Sequence, residues 1–206
     1  MIKNLTKILA IIVILTSLVV LVGWIAGIPI LTSLSPNLVS MKFFTAVSFL
    51  FSGIILFMFS YSEKKSSFSE ILIAFFSFAI LLIMLLLIIS AIFRISIGVE
   101  QLFIKEGYGT IKSVTPGMPS IPTMINFILI ALAGILAIFI PLKIKKVQII
   151  TGVIIGAIGF VAVLGYILNI PFVYYYIEGI NTGMALNTAI LFVIIGIGLF
   201  LIGKEE

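Results

Sequence analysis

Few side chains in this sequence can bind or react. All seven acids are glutamates, at positions 63, 70, 100, 106, 178, 205 and 206, and Asp, His and Cys do not occur. Imidazole and thiolate metal ligation, Ser-His and Cys-His catalysis, disulfides and CxxC chemistry are therefore excluded. Among the polar groups of the apolar runs, Thr45, Ser48, Asn126, Asn187 and Thr188 gather toward one end of the expected spans, with Arg94 closing a run and Glu100 and Glu178 between runs. Such hydroxyls and amides can line a shallow ligand cavity, or can bond neighbouring helices and the carbonyl four residues back. Thr45, Asn126, Asn187, Thr188 and Arg94 are the candidate ligand-binding residues; snorkelling toward lipid phosphate is the alternative for Arg94. No residue is assigned to catalysis or to a metal, and no cofactor is implied.

The elements that position these groups follow from composition. With 206 residues, 63% hydrophobic, 9% charged and a mean hydropathy of +1.43, the chain cannot clothe a soluble core in polar surface. A bilayer span takes about 20 residues. Six apolar runs qualify, near Ile8–Leu31, Phe43–Tyr61, Phe68–Phe93, Ile121–Pro141, Val147–Leu168 and Met184–Gly203. Ser120, ahead of Pro122, is expected to cap the fourth span, and Ser67-x-x-Glu70 reads as a capping box opening the third. The first run is too long for a secretory signal and offers no small-x-small cleavage site, so it is expected to remain as a span.

Lys3, Lys7, Lys64, Lys65, Lys143, Lys145, Lys146 and Lys204 fall on one side of this layout, and Lys42, Arg94, Lys105 and Lys112 on the other. The side richer in lysine is expected in the cytoplasm, with both termini, and the three long connections outside. The expected fold is all-α and polytopic: one membrane domain over 1–206, in the plasma membrane, built as three tandem parallel helical hairpins over about 1–65, 66–143 and 144–206. The bilayer is the expected partner. The net charge of +5 follows from the lysine-rich side and does not point to nucleic acid. Ile95–Ile104 reads as an interfacial stretch, and Phe172 with Tyr174–Tyr176 as an aromatic belt.

The hairpin reading rests on similarity among the even-numbered spans. Met41–Gly53, Pro122–Gly134 and Met184–Gly196 align without gaps, which sets Thr45, Asn126 and Thr188 at one depth and Gly53, Gly134 and Gly196 at another. These glycines, with Gly23-x-x-x-Gly27 and Gly152-x-x-x-Gly156, are expected to let helices pack closely. Coupled transport fits poorly: the last span has no Lys for a retinal, and the Pro-x-Asp-x-x-Lys/Arg signature of mitochondrial-type carriers needs an Asp.

Gly183-Met184-Ala185-Leu186-Asn187-Thr188-Ala189-Ile190-Leu191-Phe192, with Gly196 four residues on, resembles the repeated motif of N-terminal membrane sensing regions in prokaryotic histidine kinases and PAS- or GGDEF-containing signalling proteins. Met41–Gly53 is a second copy, with Phe43 in place of the usual Pro and Lys42 in place of a small residue; Pro122–Gly134 departs furthest. The resemblance implies a sensory input module that passes a shift of its last helix to a cytoplasmic output domain, with a homodimer as the expected assembly. It also implies that Asn187→Leu or Gly196→Leu alters signalling without unfolding the bundle. The sequence reaches Gly203-Lys204-Glu205-Glu206 without a dimerising helix, a phosphoacceptor His or an ATP-binding or PAS region. Two expectations follow, the sensor part of a longer protein or a chain whose output belongs to a partner. A stand-alone structural subunit or small-solute permease is the alternative.

Overall fold

In lipid a backbone must satisfy its own hydrogen bonds, and the long Leu, Ile and Phe runs of this chain do so as helices. A computed structural model describes residues 2–61, 67–93, 98–106, 111–140, 144–178 and 180–205. It contains α1 (Ile2–Ala26), a four-residue α2 (Pro29–Thr32), α3 (Phe43–Tyr61), α4 (Ser67–Phe93), α5 (Ile121–Phe139), α6 (Ile144–Ile167) and α7 (Leu186–Lys204). Apart from α2, each is long and apolar enough to cross a membrane. The described residues form no strand. Against the expected spans, α1 starts earlier and stops at Ala26, because Gly27 turns the chain at φ +65° and Pro29 opens α2. Ser120 caps α5 as expected, its hydroxyl accepting from the Thr123 N–H at 3.4 Å.

The helices sort into an inner and an outer set. In the most apolar stretch of α3, α5 and α7, 56, 50 and 61% of residues are buried, against 28, 28 and 33% in α1, α4 and α6. Each outer helix lies in the groove between two inner ones: α1 between α7 and α3, α4 between α3 and α5, and α6 between α5 and α7. The inner three meet through Phe49, Phe127 and Phe192, one ring from each, with centroids 4.7, 4.8 and 5.0 Å apart.

That ring contact fixes the register. α3, α5 and α7 are each 19 residues long, with Thr45, Thr123 and Thr188 at the third position and the three phenylalanines at the seventh. Gly53, Ala131 and Gly196 stand one turn further on, each a small residue. The alignment drawn from sequence was therefore three residues off in α5. Asn126 does not share the depth of Thr45 and Thr188; it falls opposite Ser48 and Leu191. Apolar helices carry little register information, and matching on Gly134 misled.

Small residues set the close approaches. Without a hydrophobic drive between helices in lipid, backbone proximity and van der Waals contact decide packing. A β-carbon at Gly53 would meet Ile14 of α1 at 2.7 Å, and one at Gly134 would collide with Ser77 of α4. α6 and α7 approach backbone to backbone: a β-carbon at Gly196 would lie 2.6 Å from Gly156 Cα, and one at Gly152 2.6 Å from the Gly196 carbonyl. Gly23 packs on Leu31 and Thr32 of the following turn, not on another spanning helix. A β-carbon at Gly27 would meet nothing within 4 Å; its glycine serves the positive φ. Gly196→Leu is consequently no neutral probe of signalling, because backbone atoms occupy the space its side chain needs. Gly196→Ala is expected to cost about 1–3 kcal/mol. Gly156→Ala, whose β-carbon would sit 3.7 Å from Gly196 Cα, is expected to be neutral or up to about 1 kcal/mol stabilising. Unfolding in mixed micelles separates the two.

Candidate functional site

The described parts of the three long connections are tied into a cap at one end of the bundle. Within the first, the Trp24 indole donates to the Met41 carbonyl at 2.8 Å, and the Met41 N–H donates to Thr32 O at 2.8 Å, folding residues 33–40 back over the end of α1. It is joined to the second by Lys42, whose ammonium donates to Glu106 Oε1 at 2.5 Å and to Ser113 Oγ at 3.0 Å. The second meets the third where Lys112 Nζ donates to Tyr174 Oη and the Gly183 N–H donates to the Lys112 carbonyl at 3.2 Å. The third meets the first where Asn187 Nδ2, in the first turn of α7, donates to Thr32 O at 3.2 Å. At the opposite end, Lys7 lies over the Tyr61 ring and Gly203 packs on Lys145, so the start of α1 lies beside the end of α3 and the end of α7 beside the start of α6.

The Lys42–Glu106 pair is the electrostatic centre of the cap. Both side chains are 3% exposed. Glu106 Oε1 also accepts from Ser40 Oγ at 3.4 Å, and Oε2 accepts from the Gly117 N–H at 2.5 Å. Gly117 has φ +74°, and a β-carbon there would collide with the Glu100 carbonyl, so only glycine presents that N–H. Burial lowers the Lys42 pKa below its usual value of 10.5, and the Glu106 charge and hydrogen bond pull it back up. The pair stands at the start of α3, so it fixes the second connection to an inner helix.

Beside this pair lies a cavity of about 620 Å³. Its wall runs from Gly23 and Trp24 through α2 and residues 33–40 to Lys105, Glu106 and Ile111. The size falls in the range of small-molecule sites, and the lining is mainly apolar with a few polar groups, as such sites are. A second cavity, of about 460 Å³, lies between the start of α5 and the third connection, walled by Ile121, Pro122, Val161, Phe172, Tyr175 and Asn181 among others.

The candidate residues from sequence are placed apart from both cavities. Thr45 and Thr188 are buried inside the inner bundle, and Asn187 spends its amide on Thr32 O and on the Thr188 N–H at 3.0 Å. Asn126 is 0% exposed, and neither of its amide atoms has a partner. Arg94 lies outside the described residues. An unpartnered buried amide costs about 1–3 kcal/mol. Asn126→Leu is therefore expected to raise stability by about 1 kcal/mol or more in micellar unfolding, and a loss would show that the amide does hold a partner.

Other expectations are corrected. Tyr174 is not part of an aromatic belt: it is 1% exposed and stacks on Tyr166 at 4.1 Å, while Phe172 alone of that group stands well out. Glu100, placed between runs from the sequence, is buried there, with Ser90 Oγ donating to its Oε1 at 2.6 Å. Of the interfacial stretch, Leu102 and Phe103 are exposed as expected, and residues 95–97 lie outside the described residues. Lys42, Glu106, Trp24 and Lys112 were not singled out from sequence. Lys42 carried one signal, a charge where the resembling motif has a small residue. Glu106 carried none, since its partner is 64 positions away. Against known family models, curated proteins and solved structures, the chain matches none.

Proposed function

We propose that this chain is a membrane-embedded sensory input module, with the cap outside and both termini in the cytoplasm, built from three like hairpins around the Phe49–Phe127–Phe192 contact. The lysine distribution supports the orientation. The three 19-residue inner helices, each bearing Thr and Phe at the same positions, support the repeat.

One observation carries the sensory reading: the wall of the cap cavity is bonded directly to the first turns of two inner helices. Glu106 holds Lys42 at the start of α3, and Thr32 holds Asn187 at the start of α7. An occupant that displaces the wall displaces those helix starts, and a 19-residue helix carries a shift about 28 Å to Lys204. A permease reading finds less support, because three phenylalanine rings fill the centre of the inner bundle. The output belongs to a cytoplasmic domain or partner, and a homodimer is the assembly that would read it.

The chain has no cysteine, so paired spin labels at Leu5→Cys and Lys204→Cys report the cytoplasmic end without background. In Asn187→Leu, which removes the tie to the cavity wall, the distance distribution is expected to shift by about 1–2 Å, the scale of helix displacements in switching proteins. Ile190→Leu on the exposed side of α7 is expected to leave it unchanged. Identical distributions in all three would overturn the reading.

A further inference from the structure

We propose that the cap cavity takes a single-chain amphiphile with an anionic head, entering sideways from the outer leaflet, with its chain along Trp24, Pro29, Ile30 and Leu38 and its head at Lys105. This rests on the sensory reading above and names its ligand class. The first support is the lining, where indole, proline and aliphatic side chains form most of the wall. The second is position. Ile25, Ile30 and Leu34 beside the cavity are 76, 70 and 61% exposed, at the end of a helix whose length and hydropathy suit a bilayer span. Apolar side chains left out at that level face lipid, so the cavity borders hydrocarbon on one side and the cap on the other.

The third support is charge. Glu106 spends its oxygens on Lys42, Ser40 and the Gly117 N–H, so it offers little to a cationic ligand. Two hydroxyls on the wall are also committed as donors: Thr32 Oγ1 to Pro29 O at 2.8 Å and Ser33 Oγ to Ser35 O at 2.8 Å. A sugar or other polyol, which needs donors and acceptors together, is poorly matched. Counting Lys42, Lys105 and Glu106, the wall and its immediate partner carry one net positive charge, and the exposed Lys105 is the cation on the wall. A carboxylate or phosphate head complements it, and a hydrocarbon chain complements the rest.

Trp24 is the only tryptophan, so its fluorescence reads the cavity directly. The full chain in nanodiscs of zwitterionic phosphatidylcholine is titrated with three brominated single-chain probes of equal length: a fatty acid, a lysophosphatidate and a fatty alcohol. The proposal expects a saturable quenching component from the acid, the lysophosphatidate or both, none from the alcohol, and a half-saturation raised about tenfold or more in Lys105→Glu. Saturation by the acid alone assigns a free fatty acid, by the lysophosphatidate alone a lysophospholipid, and by both a head read only for its charge. Equal quenching by the alcohol, no saturable component, or saturation indifferent to Lys105→Glu would overturn it. Lys105 is exposed, so the variant is expected to fold. Saturable quenching with no change between the Leu5→Cys and Lys204→Cys labels would defeat the sensory reading and leave the site. The converse, a label shift in Asn187→Leu without saturable quenching, would defeat the ligand assignment alone.

Discussion

Lys42→Met is expected to destabilise the folded chain by about 3–5 kcal/mol, because it leaves the Glu106 carboxylate buried with only hydroxyl and amide donors around it. The cost belongs to the stranded charge and not to the loss of an attraction. Lys42→Met combined with Glu106→Leu removes both charges and is expected to recover most of the loss, although the Ser40 hydroxyl and the Gly117 N–H then lose the Glu106 carboxylate as acceptor. Equilibrium unfolding in mixed micelles of the two singles and the double gives the coupling as a cycle. Equal loss in the single and the double would mean that the pair does not act as a unit.

The same pair gives a pH dependence with a definite sign. Burial lowers the folded-state pKa of Lys42 below the 10.5 of the unfolded chain. Between those two values the unfolded chain holds a proton that the folded chain has released, so raising the pH favours folding. Relative to the double variant, the native chain is expected to gain stability as pH rises toward 10.5, and to show the full cost of burying the charge below that window. The difference in unfolding midpoint between the two proteins at about pH 8 and about pH 10 measures it.

Phe49→Ala is expected to cost about 3–5 kcal/mol and to loosen all three inner helices at once. Its ring is 0% exposed and touches both Phe127 and Phe192. In a bilayer no water waits to fill the space, so the loss is contact energy and the void that neighbouring side chains cannot close. Phe75→Ala, on a residue 63% exposed on α4, is expected to change stability by less than about 0.5 kcal/mol. Similar losses in the two variants would contradict an inner set centred on these rings.

The spans were legible in the sequence because hydrocarbon imposes a length and a composition that few residues can hide. α3 begins and ends where its apolar run does. The end of α1 was missed by five residues, since Gly27 and Pro29 are apolar enough to extend a run while their backbones break the helix. Inner and outer helices were not distinguished, because both sets are apolar all round and differ only in whether the neighbour is protein or lipid. The register of α5 failed for a related reason: Thr123 and Ala131 are small and unremarkable beside Gly134.

The candidate site was less legible still. Asn187 was chosen as a ligand contact and instead ties the cavity wall to α7 through Thr32, a bond to a backbone atom that no side-chain pattern announces. Lys42 was counted among the charges of one side and Glu106 only among the acids, because nothing in the sequence brings the two together. They become a buried pair once the second connection folds over the first. Trp24 passed as one more apolar residue of the first span, and its indole hydrogen bond to the Met41 carbonyl, which shapes the cavity wall, has no signal in the sequence.

Everything in the functional account requires the cap outside and the termini inside. Single cysteines at Lys105 and Lys204, in a chain with none of its own, can be probed with a membrane-impermeant maleimide on intact cells and again after lysis. The account predicts that Lys105→Cys labels on intact cells and Lys204→Cys only after lysis. Labelling of Lys204→Cys on intact cells, with or without Lys105→Cys, would contradict it.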